Sequence, residues 1–376
     1  MEFQATGTHL LALPQWTAEN RAMNRNDTAS APQTSRKSSA IGDDPIFVDT
    51  KKMGTVSRKM LLLAGMAAIA IGLAAGAWVY FGNPGANDAP AVSTLKLSDI
   101  PFDGAQAYKY LKDLCAIGPR RSGSPGMIAQ QKLLIDHFRK LGGQVEVQRF
   151  RIRHPLNASL VPMTNIMVRW NPKAADRILL CAHYDTLPYP LMDPVDPQGT
   201  FVGANDNASG VAILMQLAHD MPKLKSKYGV DFLMLDGEEF IFDQDGRFFL
   251  GSEYFARDYA KKRPHYRAAV LLDMVGATNL RIPYDRSSFE WKDTRPIVEE
   301  IWATAARLGV REFVTRPMTD VNDDHIMLHE IGHIPCIDMI DFAYPPWHTR
   351  GDTPDKCSPL SLAKVGWVIR EWLKSK

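Results

Sequence analysis

The chain has 376 residues, 45% hydrophobic and 23% charged, with a formal net charge of +2. That balance is an ordinary globular one, with length for one large domain or two smaller ones. The small charge, with no Lys/Arg run interleaved with aromatics, argues against nucleic-acid binding, and four cysteines without CxxC spacing argue against a structural zinc finger.

Residues 1–52 are rich in Ser, Thr, Asn, Ala and Gln and show little periodicity, as in NRNDTASAPQTSRKSSA, so a disordered tail is expected. From Met60 to Phe81 the run MLLLAGMAAIAIGLAAGAWVYF has no charge. As a helix it would reach about 33 Å, enough for a hydrocarbon core of about 30 Å. Lys51, Lys52, Arg58 and Lys59 precede it, and only Asp88 is charged between Asn83 and Leu95. The positive-inside bias then puts the N-terminus in the cytoplasm and the rest outside it, in a periplasmic or other extracytoplasmic space. A cleaved signal peptide, cut near the small residues Ala75 and Ala77, is the rival reading, but its apolar region would usually be shorter. A single-pass transmembrane anchor over 53–82 is expected, followed by a linker over 83–100 and a catalytic domain over 101–376.

Leu134, Phe138 and Leu141 then form a helical stripe ended by Gly142-Gly143, and VEVQRFRI alternates as a strand does. Four compact apolar runs follow: ILLCAH (178–183), VDFLMLD (230–236), AAVLLDM (268–274) and IPCIDMI (334–340). An amphipathic helix with Val211, Leu214, Met215 and Ala218 on one face lies between the first two. Such strands alternating with helices imply an α/β fold, its mixed, mostly parallel central sheet covered by helices on both faces.

Each of the four runs ends in, contains or leads to acidic or imidazole groups: His183-Tyr184-Asp185, Asp236-Gly237-Glu238-Glu239, Asp273, and Asp338 with Asp341 and then His348. Ligand sites of open α/β sheets gather at the carboxyl ends of strands. Asp206 in GANDNASG precedes the amphipathic helix, where either it or Asn207 would serve as the N-cap. Singly, such a cap or a structural histidine needs no metal. Together, carboxylates crowded in one buried place repel unless a cation or protons separate them. Histidine and carboxylate ligands with one open position are the pattern of catalytic zinc. His183, Asp206, Glu239, Asp273 and His348 are therefore the candidate ligands, with Glu238 free to shuttle protons. No GxSxG elbow or phosphate loop occurs, and Cys181 inside an apolar strand reads as an inert thiol.

The motifs GPRRSGSPG, CAHYDT, GANDNASG, LDGEEF, LLDMVGA, DDHIMLHEIG and WHTRGDTPDKCSP, from Gly118 nearly to the C-terminus, resemble the zinc aminopeptidase superfamily. Within it, Asp323-Asp324-His325 and Trp347-His348-Thr349 are similar to the glutaminyl-peptide cyclotransferase branch, and CIDMIDFAYPPWHT to its bacterial form. The resemblance implies one Zn2+ held by Asp206, Glu239 and His348. It makes Glu238 the general acid/base, puts Asp273 and Asp323 in its hydrogen-bonded acid network, and packs Trp347 on the substrate, a peptide or protein N-terminus. Asp338 stands where animal cyclases carry a His and is expected in the substrate pocket; their active-site Trp has no counterpart in FIFDQDG. The implied reaction converts N-terminal Gln to pyroglutamate with release of ammonia. A zinc aminopeptidase is the alternative, with His183 and Asp273 completing a second metal site. A non-catalytic receptor-type domain is a third reading, disfavoured because no ligand is missing. Cys115 and Cys357, both expected in loops, are candidates for a disulfide whose connectivity sequence does not establish.

Overall fold

A computed structural model describes residues 92–242, 246–262 and 265–376. The tail, the anchor and the first part of the linker lie outside the described residues. Among those described, no helix is long and apolar enough to cross a membrane.

Six strands form one sheet: β1 (Gln144–Arg153), β2 (Leu160–Trp170), β3 (Asp176–His183), β4 (Gly229–Leu235), β5 (His265–Asp273) and β6 (Cys336–Ile340). Their spatial order is β1-β2-β4-β3-β5-β6. β4, β3, β5 and β6 run parallel, while β2 pairs antiparallel with both β1 and β4. The mostly parallel sheet is as expected. β2 is an addition to the sequence reading: Pro162, Thr164, Asn165 and Arg169 break up its apolar run.

The helices are α1 (Gly104–Ala116), α2 (Pro125–Lys140), α3 (Ala208–Leu217), α4 (Leu250–Lys262), α5 (Arg286–Glu290), α6 (Arg295–Leu308), α7 (Asp324–Glu330) and α8 (Pro359–Lys374). Because strand side chains alternate between faces, β3 to β6 feed two cores. Ile178, Leu180, Phe232, Met234, Val270, Leu272 and Ile337 face the larger one, with α1, α2, α3, α6 and α8. Leu179, Cys181, Leu233, Leu271 and Cys336 face a smaller one with Phe255 of α4 and Leu328 of α7. Burial on both faces explains why these strands read as near-continuous apolar runs.

Helix ends follow local chemistry. Asp103 caps α1 through Gln106 N, and Ser124 caps α2 through Met127 N with Pro125 just inside. The described end of the linker is packed rather than loose. Ser93 Oγ donates to Glu312 Oε1 at 2.8 Å, Lys364 Nζ pairs with the same oxygen at 2.6 Å, and Ile100 is buried.

The cysteine expectation needs one correction: Cys115 lies in α1, not in a loop, because the helical run continues to Ala116. Cys115 and Cys357 are both buried free thiols here, and burial pushes the Cys115 thiol up to about 11.

Candidate metal centre and active site

The strand ends deliver the acidic and imidazole groups to one place. β3 ends in His183, and Asp185 follows two residues on. After β4 the chain turns at Gly237, whose positive φ of 79° and close approach to Met163 Sδ (2.7 Å from a Cβ added there) exclude a side chain. That turn presents Glu238 and Glu239. Their backbone N–H groups donate to Asp185 Oδ1 at 3.2 Å and Oδ2 at 3.1 Å. Asp236 steadies the same turn, accepting from Ser122 Oγ at 2.6 Å and Thr164 N at 2.7 Å.

Asp206 is not the cap of α3. Asn207 accepts from Gly210 N at 2.9 Å and donates to Leu272 O at 2.8 Å. The carboxylate of Asp352 accepts from Asn205 N at 2.8 Å and Asp206 N at 3.1 Å. Arg120, fully buried, donates to Val202 O and Gly203 O at 2.7 and 2.9 Å. The loop is thus gripped by its backbone, and the Asp206 side chain is released toward the centre.

His183 Nε2 lies 3.1 Å from Asp206 Oδ1 and 3.4 Å from Asp273 Oδ1. His348 Nε2 lies 2.9 Å from Glu239 Oε1 and 3.4 Å from Asp206 Oδ2. All five candidate ligands therefore meet, and the ligand atoms of His183, Asp206 and Glu239 fall within 4.8 Å of one another. Asp206 Oδ2, Glu239 Oε2 and Asp273 Oδ1 are buried without a hydrogen-bond donor. Orphaned carboxylate oxygens converging beside two imidazoles fit a divalent cation with nitrogen and oxygen ligands, as zinc takes.

Electrostatics separate the two adjacent glutamates. Burial raises Glu239 to about 7, with Asp206 adding and His348 opposing. Burial also holds Glu238 well above the carboxylate range, and Glu239, Asp323 and Asp324 reinforce it against His183. For His348, burial works against the charge, but Glu239 and Asp206 outweigh it and lift the ring to about 9. His183 is likewise raised despite burial, by Asp185, Asp206 and Asp273. Asp206 is held low: burial would raise it, but His183 and His348 win.

Behind this lies a buried acid group. Burial raises Asp273, and burial together with Asp273 and Asp324 raises Asp323. Asp323 Oδ1 caps α7 through Asp324 N at 2.6 Å. Asp338, expected in the substrate pocket, is a residue of β6. It is only 1% exposed, with Oδ2 4.0 Å from His325 Nδ1, while His325 Nε2 faces Asp285 at 3.4 Å. β6 is buried on both faces. Trp347, expected to pack on the substrate, lies beside the candidate ligand His348. Its ring stacks on His348 at 3.9 Å and meets the exposed Phe342 edge-on at 4.9 Å.

Sequence reasoning missed Asp352 and Arg120, and named Asp185 only among the acidic groups at the strand ends. Each lies within a quoted motif, but the backbone groups that each holds come near only when the chain folds.

Residues 165–373 match the family described as Peptidase family M28. The glutaminyl-peptide cyclotransferase of Drosophila melanogaster is 29% identical over 282 residues, covering 67% of this chain and 75% of that one. Among solved structures, the Fimbriiglobus ruber glutaminyl cyclase is 38% identical with a TM-score of 0.70, over 76% of this chain and 98% of that one. A Zn-dependent exopeptidase from Parabacteroides distasonis is 26% identical with a TM-score of 0.66, over 73% and 99%. The chain belongs to peptidase family M28 and, within it, to the glutaminyl cyclases.

Proposed function

We propose that this enzyme is a zinc-dependent glutaminyl-peptide cyclotransferase that converts N-terminal Gln of peptides or proteins to pyroglutamate. The likeness to the Fimbriiglobus ruber cyclase over nearly its whole length carries the choice of reaction. Asp206, Glu239 and His348 would hold the metal. When bound, zinc supplies a Lewis acid that polarises the γ-carbonyl of the substrate Gln.

The chain's own residues do the rest. Glu238, buried beside the ligands, takes a proton from the α-amine as its nitrogen bonds to the side-chain carboxamide carbon (Cδ) of the Gln, and returns one to the departing ammonia. One C–N bond forms, one breaks, and no water is consumed. Asp273 and Asp323, both raised by burial, form the acid network beside this exchange. Trp347 covers the forming ring and keeps bulk water from it. The test is ammonia release from a Gln-initiated peptide by the full chain with zinc; no release sinks the reading.

Aminopeptidase action is the second reading, favoured by one observation. His183 Nε2 sits between Asp206 and Asp273, a donor set for a second ion. Two bound zincs and hydrolysis of a Leu-anilide in preference to a Gln-anilide would establish it. Anchorage through residues 53–82, with the catalytic domain outside the cytoplasm, is part of the proposal and rests on the uncharged run and its flanking lysines and arginines.

A further inference from the structure

His348 has a positive φ of 56°, in the left-handed region that L side chains rarely adopt. A turn closed by Thr349 N and Thr349 Oγ1, which donate to Pro346 O at 3.0 and 2.8 Å, carries His348 at its third position, and contacts outside the turn fix where it sits. The segment on which His348 rests is the loop after β3. Met192 N donates to His348 O at 3.0 Å. The next residue, Asp193, uses both carboxylate oxygens. Its Oδ1 accepts from Val195 N at 3.0 Å and Asp196 N at 2.9 Å, which folds its own loop. Its Oδ2 accepts from Arg350 N at 2.9 Å and faces Arg350 Nε at 3.4 Å.

Further along, a Cβ added to Gly199 would sit 2.7 Å from Arg350 Cδ, so this loop lies close against Arg350. Phe201 meets the His348 ring edge-on at 6.2 Å. The backbone at His348 and just after it is therefore tied to one loop, at His348 O and at Arg350 N.

We propose that Asp193 is a positioning residue: by clamping the backbone of Arg350 it holds His348 in the left-handed turn that aims Nε2 at Glu239 and Asp206. The carboxylate is the part that matters. Its backbone donors, Asp196 N first, hold it down to about 2, so it stays charged throughout the neutral range. The side chain of Arg350 is 42% exposed, and an exposed ion pair contributes little. The hydrogen bond from Arg350 N is the working contact.

Two variants of the full chain separate these roles. Asp193→Asn keeps one oxygen for the loop's own turn but loses an acceptor for Arg350 N. Arg350→Ala keeps the backbone N–H and loses only the guanidinium. The readouts are zinc affinity by competition with a chelator, the kcat and KM split on a Gln-anilide, and melting of the metal-free protein. Asp193→Asn should weaken zinc binding about tenfold or more, the range seen when groups supporting a ligand are removed. It should lower kcat more than KM changes, and leave metal-free melting near wild type. Arg350→Ala should stay within about threefold of wild type on every measure, by the small worth of an exposed pair.

Wild-type zinc affinity in Asp193→Asn overturns the clamp. So does a loss in Arg350→Ala as large as in Asp193→Asn, or a metal-free melting point that falls as far as the loaded one. The clamp rests on reading His348 as a zinc ligand. A wild type that binds no zinc sinks that reading and the clamp together, whereas zinc binding without ammonia release sinks only the proposed reaction.

Discussion

Glu238 and Glu239 are neighbours in sequence, share the same backbone anchor in Asp185, and have different company. Glu239 lies within hydrogen-bonding reach of His348; Glu238 has no such imidazole and is pushed up by burial and by its acidic neighbours. Glu238→Gln keeps the shape and removes the transferable proton. Ammonia release should fall by about 10²-fold or more, while zinc measured on the same sample stays stoichiometric. Loss of zinc together with activity would place Glu238 among the ligands instead. The ligands themselves predict a pH dependence. His348 at about 9 and Glu239 at about 7 must both give up protons to bind metal. Zinc affinity, followed by chelator competition, should therefore rise from pH 6.5 to 8.5; a flat profile would mean that these protons are not displaced.

The elements matter through how closely they approach. A Cβ on Gly210 would lie 2.2 Å from Leu272 O, so α3 can touch β5 only with glycine there. Gly210→Ala should cost about 1–3 kcal/mol, the usual penalty for overpacking, seen as a lower urea midpoint. Because Asn207 and Asp206 lead into α3, zinc affinity should fall with it; wild-type stability would show that the two elements can part without cost. The same packing explains what the sequence could and could not reveal. β3 to β6 were legible because burial on both faces leaves their inner stretches mostly apolar, ending where the sheet meets the site. β2 was not, since its outer half is only partly covered and carries Pro162. His183, Asp206, Glu239, Asp273 and His348 read together as candidates because chelating residue types recur at or after strand ends, and only the family resemblance singled out Asp206, Glu239 and His348. Asp352 was not legible: it serves the backbone of Asn205 and Asp206, about 150 residues away, and nothing marks that until the chain folds.

At the scale of the whole molecule, the site concentrates buried charge that folding alone does not compensate. Burial pushes Asp236 up to about 8, and Asp324, Asp352 and Glu239 up to about 7. A carboxyl whose folded value lies above its unfolded value of about 4 binds more protons folded than unfolded between the two. It therefore takes stability away as pH rises through that window. His348, at about 9, acts in the same direction. Its contribution is complete below about 6.5, the unfolded value, and is lost as pH rises through the folded one. The metal-free protein should accordingly melt at a lower temperature at pH 8.5 than at pH 6. Zinc replaces those protons with a fixed cation, and its own binding strengthens as they leave. At free zinc about 1,000 times its Kd, the added stability would be about 4 kcal/mol, on the order of 10 °C in Tm for a domain of this size. The separation between loaded and metal-free melting curves should thus widen from pH 6 to pH 8.5. A separation that narrowed with pH would mean that the cluster is built to hold protons, and that the metal is not what its carboxylates are waiting for.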